Sequence, residues 1–171
     1  VAVDGLYAGY LIISDTVKKD SKETIRQLKR MGIKTAMLTG DKHHTADNIG
    51  NELGIDEVYS ELLPDEKVEI LEKIIKKEDK NKKTLYVGDG INDAPVLARA
   101  EVGVAMGALG SDAAIEAADI VLMTDEPGKL ITSIEIAGKT GKIVWQNIIF
   151  AFAVKILVLV LGAGGIATMW G

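Results

Sequence analysis

The chain of 171 residues contains no cysteine, only three prolines and two histidines, and 5% aromatic residues. Without cysteine it can form no disulfide, thiolate metal site or cysteine nucleophile of its own. An excess of positive charge is also missing: 20 basic residues face 25 acidic ones, for a net charge of −5. That balance argues against a nucleic-acid partner, whose binders show a basic stripe. The first residues carry Asp4 and no basic cluster, unlike a secretory signal. With 47% hydrophobic and 26% charged residues the composition is that of a folded chain. The length corresponds to about one domain.

These averages conceal a division. Beyond Asn147 the only charged residue is Lys155. Residues 148–167 are otherwise all apolar or Gly, and a membrane-crossing helix needs about 20 such residues. No polar face is present, so a helix lying in the interface is disfavoured. Lys139 and Lys142 precede the run and orient it, placing residues 1–147 on the cytoplasmic side. Trp170 suits the far interface. Lys155 lies about two turns, roughly 10 Å, into the run. It either snorkels to the interface or faces a protein interior and an ion path.

The soluble part alternates short apolar runs with helical patterns. Strands are predicted at 8–14, 33–38, 58–59, 84–87, 102–106 and 120–123, and helices at 19–31, 45–53, 93–100 and 112–117, with a further helix opened by Pro64 and carrying Val68, Leu71, Ile74 and Ile75. In the first helix Ile25, Leu28 and Met31 recur at helical spacing, and Gly32 and Gly54 act as stops. From about Ile131 a helix continues into the membrane run. Apolar strands alternating with helices imply an α/β fold with a parallel sheet covered on both faces.

Ligands of such sheets sit at the carboxyl ends of the strands. Three polar segments fall there. Gly88-Asp89-Gly90-Ile91-Asn92-Asp93 follows a strand, with Asp89 between glycines, Asn92 as helix cap and Asp93 as first helical residue. Asp89 and Asp93 suit Mg2+, which takes one or two carboxylates together with substrate phosphate. Thr39-Gly40-Asp41 offers a hydroxyl and turn amides to a phosphate. Lys67 sits in the first turn of the helix opened by Pro64, a position that favours acids such as Asp65 and Glu66. Its placement suggests a partner anion. His43 and His44 point about 100° apart on a helix and are read as surface or structural residues. Met106-Gly107-Ala108-Leu109-Gly110-Ser111 lacks the lysine of a P-loop and is read as a loop.

In this order and spacing, Thr39-Gly40-Asp41, Pro64 to Lys67 and the 88–93 loop resemble haloacid-dehalogenase-like phosphotransferases. Within them they look like the phosphorylation domain of P-type ATPases. The resemblance implies a partial, Rossmann-like parallel sheet followed by a transmembrane helix. It divides the chain into residues 1–130 of the phosphorylation domain, a helical connection at 131–147 and a membrane helix at 148–170. It implies Mg2+ and ATP as cofactors, Asp89 as the Mg2+ ligand and Asp93 as the supporting acid. Thr39, Gly40, Asp41 and Asn92 would stand at phosphate or nucleotide, and Lys67 would neutralise phosphoryl charge. Asp15 resembles a hinge aspartate, with Thr16 in place of the usual proline.

Gln146-Asn147, Lys155 and the Gly-rich end of the apolar run resemble the zinc/cadmium/lead subclass, whose copper-type cousins carry Tyr-Asn where this chain has Val154-Lys155. In that reading Lys155 belongs to the transport pathway, the cargo is a divalent heavy-metal ion, and the chain is bound to plasma-membrane lipid. The family's nucleophilic segment, Asp-Lys-Thr-Gly-Thr, does not occur in the sequence, and neither does an Asp-x-Asp pair. The chain is thus expected to be the C-terminal part of a pump, inactive without its N-terminal part. Two alternatives stand beside it: a membrane-tethered, non-catalytic Mg2+ or phosphate-binding regulatory domain, and a phosphatase of the same superfamily.

Overall fold

The computed structural model describes residues 2–8, 17–79, 81–88, 93–107 and 112–164. Residues 9–14 of the predicted strand at 8–14, the 89–92 part of the Gly-Asp-Gly loop, residues 108–111, Asp15 and Trp170 lie outside them. The chain forms two compact units, Val1–Lys129 and Leu130–Gly171.

The first unit opens with a hairpin of β1 (Ala2–Val3) and β2 (Leu6–Tyr7), paired Ala2 with Tyr7 and Val3 with Leu6. The two linking residues, Asp4 and Gly5, have φ of 50° and 80°. Both values belong to the tight turn that Asp-Gly favours, because its twist matches that of the strands. The sequence reading passed over this signal.

The main body follows the expected alternation. Helix α1 (Ser21–Arg30) buries Thr24 and Leu28, and Gly32, in the left-handed region at φ 74°, ends it. Met31, expected on the apolar face, lies past the last turn and is 44% exposed. Strand β3 (Ala36–Leu38) pairs in parallel with β4 (Glu57–Tyr59), with α2 (His43–Leu53) between them. Helix α2 begins two residues earlier than its apolar pattern, so both histidines are in its first turn. Helix α3 (Pro64–Lys77) buries Leu71.

A second parallel sheet holds β5 (Leu85–Gly88), β6 (Val102–Met106) and β7 (Ile120–Leu122) in that order, with α4 (Ala94–Arg99) and α5 (Asp112–Ala117) as its crossovers. Its core is Leu97, Ala105 and Ala114, with Tyr86, Ala117, Ala118 and Val121 packed around them. Among the described residues, β3 pairs only with β4, β5 pairs only with β6, and β3 and β5 do not pair with each other.

Helix α6 runs unbroken from Gly128 to Ala163, 36 residues or about 54 Å. The expected connection (131–147) and the expected membrane segment as far as Ala163 belong to this one helix, and residues 165–170 lie outside the described residues. By length and composition the helix can cross a membrane: an 18-residue stretch has a mean hydropathy of 2.2, and none of its residues is buried.

Candidate active site

The site is built from the residues that follow β3 and β5 and from the first turns of α3. Directly after β3, the Thr39 N–H donates to the Tyr59 carbonyl at 2.9 Å, Leu62 N–H donates to the Thr39 carbonyl at 3.1 Å, and Glu61 N–H donates to the Asp41 carbonyl at 2.9 Å. The Thr39-Gly40-Asp41 turn is therefore clasped by the segment leading into α3. Within the turn, Thr39 Oγ1 donates to Asp41 Oδ2 at 2.8 Å and accepts the Asp41 N–H at 3.1 Å. The hydroxyl that the sequence offered to a phosphate is engaged by its own neighbour.

Helix α3 starts with Pro64, whose missing N–H costs nothing at that position. The Glu66 carboxylate accepts the Leu63 N–H at 2.7 Å, half of a capping box; the other half is absent because leucine has no side-chain acceptor. One residue on, the Lys67 ammonium reaches Asp93 Oδ1 at 2.9 Å. The two side chains are only 17% and 15% exposed. The anion inferred for Lys67 from its unfavourable place in the first turn is thus, within this chain, a carboxylate from the other sheet.

Asp93 stands where the sequence put it, opening the helical stretch as a single 3-10 residue directly ahead of α4, and its side chain caps no helix N–H. Its Oδ1 accepts both Lys67 and the Tyr86 hydroxyl, the latter at 3.0 Å. A Cβ on Gly88 would stand 2.8 Å from the Asp93 Cβ and 3.0 Å from Oδ2. Glycine at 88 is what lets this side chain lie against the end of β5. The sequence reading missed Tyr86. The signal available was a hydroxylated aromatic in an otherwise apolar strand, since a buried phenol needs a partner.

Asp89, Gly90 and Asn92 lie outside the described residues. Among the described residues there is no cluster of three or more His, Asp or Glu suited to a metal ion. The two histidines turn to different partners: His43 contacts Ser60 at 3.1 Å and Asp47 at 3.2 Å, and His44 contacts Asn48 at 3.3 Å. On β4 the Tyr59 hydroxyl donates to Glu57 Oε2 at 2.6 Å. That bond, with help from Lys77, holds the Glu57 carboxyl below its usual range, and it pushes the Tyr59 phenol up. Lys155 is exposed on α6.

A family model described as haloacid dehalogenase-like hydrolase matches residues 1–101, an extent that takes in all three segments assembled above together with the helix after β5. The chain belongs to the haloacid dehalogenase-like hydrolases. Among its relatives are transporting ATPases. It is 59% identical over 171 residues to the cadmium, zinc and cobalt-transporting ATPase of Bacillus subtilis (strain 168), covering 99% of this chain and 24% of that protein. It is 53% identical to the zinc-transporting ATPase of Synechocystis sp., with the same two coverages. The crystal structure of a zinc-transporting PIB-type ATPase in its E2·Pi state superposes with a TM-score of 0.83 at 36% identity, over 91% of this chain and 25% of that one. The resemblance to heavy-metal P-type ATPases read from the motifs is borne out, as is the haloacid-dehalogenase-like α/β fold followed by a long apolar helix. The chain spans about a quarter of the length of the curated relatives it matches, 24% in each case.

Proposed function

We propose that this chain is part of an ATP-driven pump that exports a divalent heavy-metal ion, Zn2+, Cd2+ or Pb2+, through an aspartyl-phosphate intermediate. Residues 1–130 are the C-terminal portion of its phosphorylation domain, 131–147 the helical connection and 148–170 a membrane helix. Residues 1–147 lie on the cytoplasmic side of the plasma membrane, and lipid surrounds the helix.

The observation that carries this reading is the Lys67–Asp93 pair, which joins the start of α3 to the end of β5 with both side chains largely buried. In phosphoryl transfer the protein contributes chiefly position and compensating charge. Lys67 supplies a cation that is held in place. Thr39, Gly40 and Asp41 supply a turn tied to the same helix start.

The donor chemistry fits Mg2+. Asp93 Oδ1 is engaged by Lys67 and Tyr86, while Oδ2 accepts no hydrogen bond within the described residues. Asp89, read from the sequence, would be the principal ligand, with Asn92 beside the phosphate. Bound there with ATP, the cation would neutralise charge on the phosphate oxygens.

The nucleophilic aspartate lies in the N-terminal part of the pump, outside this sequence. Among the described residues β3 and β5 each pair with one strand, which leaves a side of each for a further strand. Lys155 faces the metal pathway, where a cation opposes a divalent ion and favours its release.

The test is metal-stimulated ATP hydrolysis by the intact protein that contains this chain. Asp89→Ala and Lys67→Met are expected to abolish it, and Lys155→Ala to impair metal uptake into vesicles more than nucleotide binding. The isolated chain is expected to take no acid-stable phosphate from ATP. Undiminished hydrolysis in Asp89→Ala, or labelling of the isolated chain, would overturn the reading.

A further inference from the structure

We infer that Tyr86 is a positioning residue for phosphoryl transfer, acting through Asp93; the inference rests on the function proposed above. Two donors converge on one oxygen: Lys67 Nζ at 2.9 Å and the Tyr86 hydroxyl at 3.0 Å, both to Asp93 Oδ1.

The two donors differ in stiffness. A lysine ammonium is a point charge on a flexible four-carbon stem, so by itself it leaves a carboxylate free to turn. Tyr86 has two side-chain torsions, and its ring is packed against the core of Leu97, Ala105 and Ala114. Its backbone is held in β5, in register with Gly103 of β6. The phenol thus delivers a donor from the core to a fixed point at the end of the strand.

On the other side of the carboxylate, Gly88 leaves no more room than Asp93 occupies. Pinned at Oδ1 and confined at Gly88, the carboxylate keeps one orientation. Its attraction for the Lys67 ammonium then has one direction, and its Oδ2 stays the open oxygen. A phenol that merely satisfied its own hydrogen bond would add stability and nothing else. A phenol that orients the pair affects the rate at which a bound substrate reacts.

The experiment compares the intact protein with its Tyr86→Phe variant, which keeps the ring and removes the hydroxyl. Turnover of ATP under metal stimulation, the KM for ATP and the thermal unfolding midpoint are measured together. A lost hydrogen bond to a charged group that is needed in the transition state lowers kcat about tenfold, with KM changed less than about twofold. In an Asp93→Ala background the bond to Asp93 is already gone, and Tyr86→Phe is expected to shift the unfolding midpoint less than it does in the unaltered protein. A kcat within about twofold of the parent overturns the inference, whatever happens to stability. So does a variant in which kcat falls only in step with a lowered midpoint and a raised KM. If the unaltered protein shows no metal-stimulated hydrolysis, the underlying function falls and this role with it, a result distinct from an active parent with an unaffected variant.

Discussion

The Asp20 carboxylate does not cap the helix it precedes; it accepts the Gly128 N–H at 2.9 Å, joining positions 108 apart in the sequence. One of the unpaired N–H groups at the start of α6 is satisfied in this way, and a negative charge sits where the helix dipole favours it. Lys18 and Asp125 form an ion pair beside it.

Asp20→Ala should therefore loosen the start of α6 and leave α1 almost unaffected. Losing a cap of this kind costs about 1 kcal/mol, so amide exchange at Gly128 should quicken by about fivefold. Unaltered exchange there, or a faster rate confined to α1, would contradict the assignment.

Lys67 and Asp93 should be far more costly to separate than to remove together. Lys67→Met alone strands a largely buried carboxylate, and breaking a buried pair costs about 3–5 kcal/mol. Combining it with Asp93→Leu should recover most of that stability in denaturant unfolding, because no unpaired charge remains. ATP hydrolysis should not return with it. A double variant no more stable than the single one would show that the pair is not the source of the loss.

Acid should weaken the contact between the α2–β4 connection and the residues before β3. Asp56 is hydrogen-bonded to Lys29 at 2.8 Å, to the Thr35 N–H at 2.9 Å and to the Thr35 hydroxyl at 2.8 Å. Lys29 first, then Thr35, lowers its pKa from 3.8 to about 2. The folded value lies below the unfolded one, so the stabilisation is complete above pH 3.8 and is lost as the pH falls to about 2. The carboxylate is 37% exposed, and solvent screening limits the effect to about 1 kcal/mol. Asp56→Asn should flatten the pH dependence of stability in that window, measured as the difference from the parent. Glu57, Glu78 and Glu101, also held low by neighbouring donors, add slopes of the same sign in both proteins.

Gly88→Ala should displace Asp93. The new methyl would lie 2.8 Å from the Asp93 Cβ, well inside van der Waals contact. Overpacking of this kind costs about 1–3 kcal/mol. Hydrolysis should fall further than stability accounts for, because the carboxylate that holds Lys67 is what moves. Activity and stability equal to the parent would refute the packing described.

Much of the architecture is legible in the residue pattern because it is set locally. The 102–106 strand and the 112–117 helix match the structure at both ends, and Pro64 and Gly54 mark a helix start and a helix stop where they were read. Each depends on apolar period or on the conformational demands of proline and glycine. Strand ends were less secure. The 33–38 run shortens to Ala36–Leu38 because a strand extends only as far as a partner pairs with it, and β4 supplies three residues. The site was legible as a set of residue types. Lys67 could be seen to need an anion, but nothing local could say that the anion was Asp93, 26 positions away.

The sequence by itself determined the alternation of strand and helix, the apolar length of α6, and the three motif segments that mark the family. These rest on periodicity, composition and short-range spacing. Only the tertiary structure decided that Tyr86 and Lys67 share one oxygen of Asp93, that Thr39 spends its hydroxyl on Asp41, and that Asp20 serves α6 instead of α1. Those pairings depend on how separate elements pack, and a hydrogen bond forms with whatever donor or acceptor the packing delivers within about 3 Å.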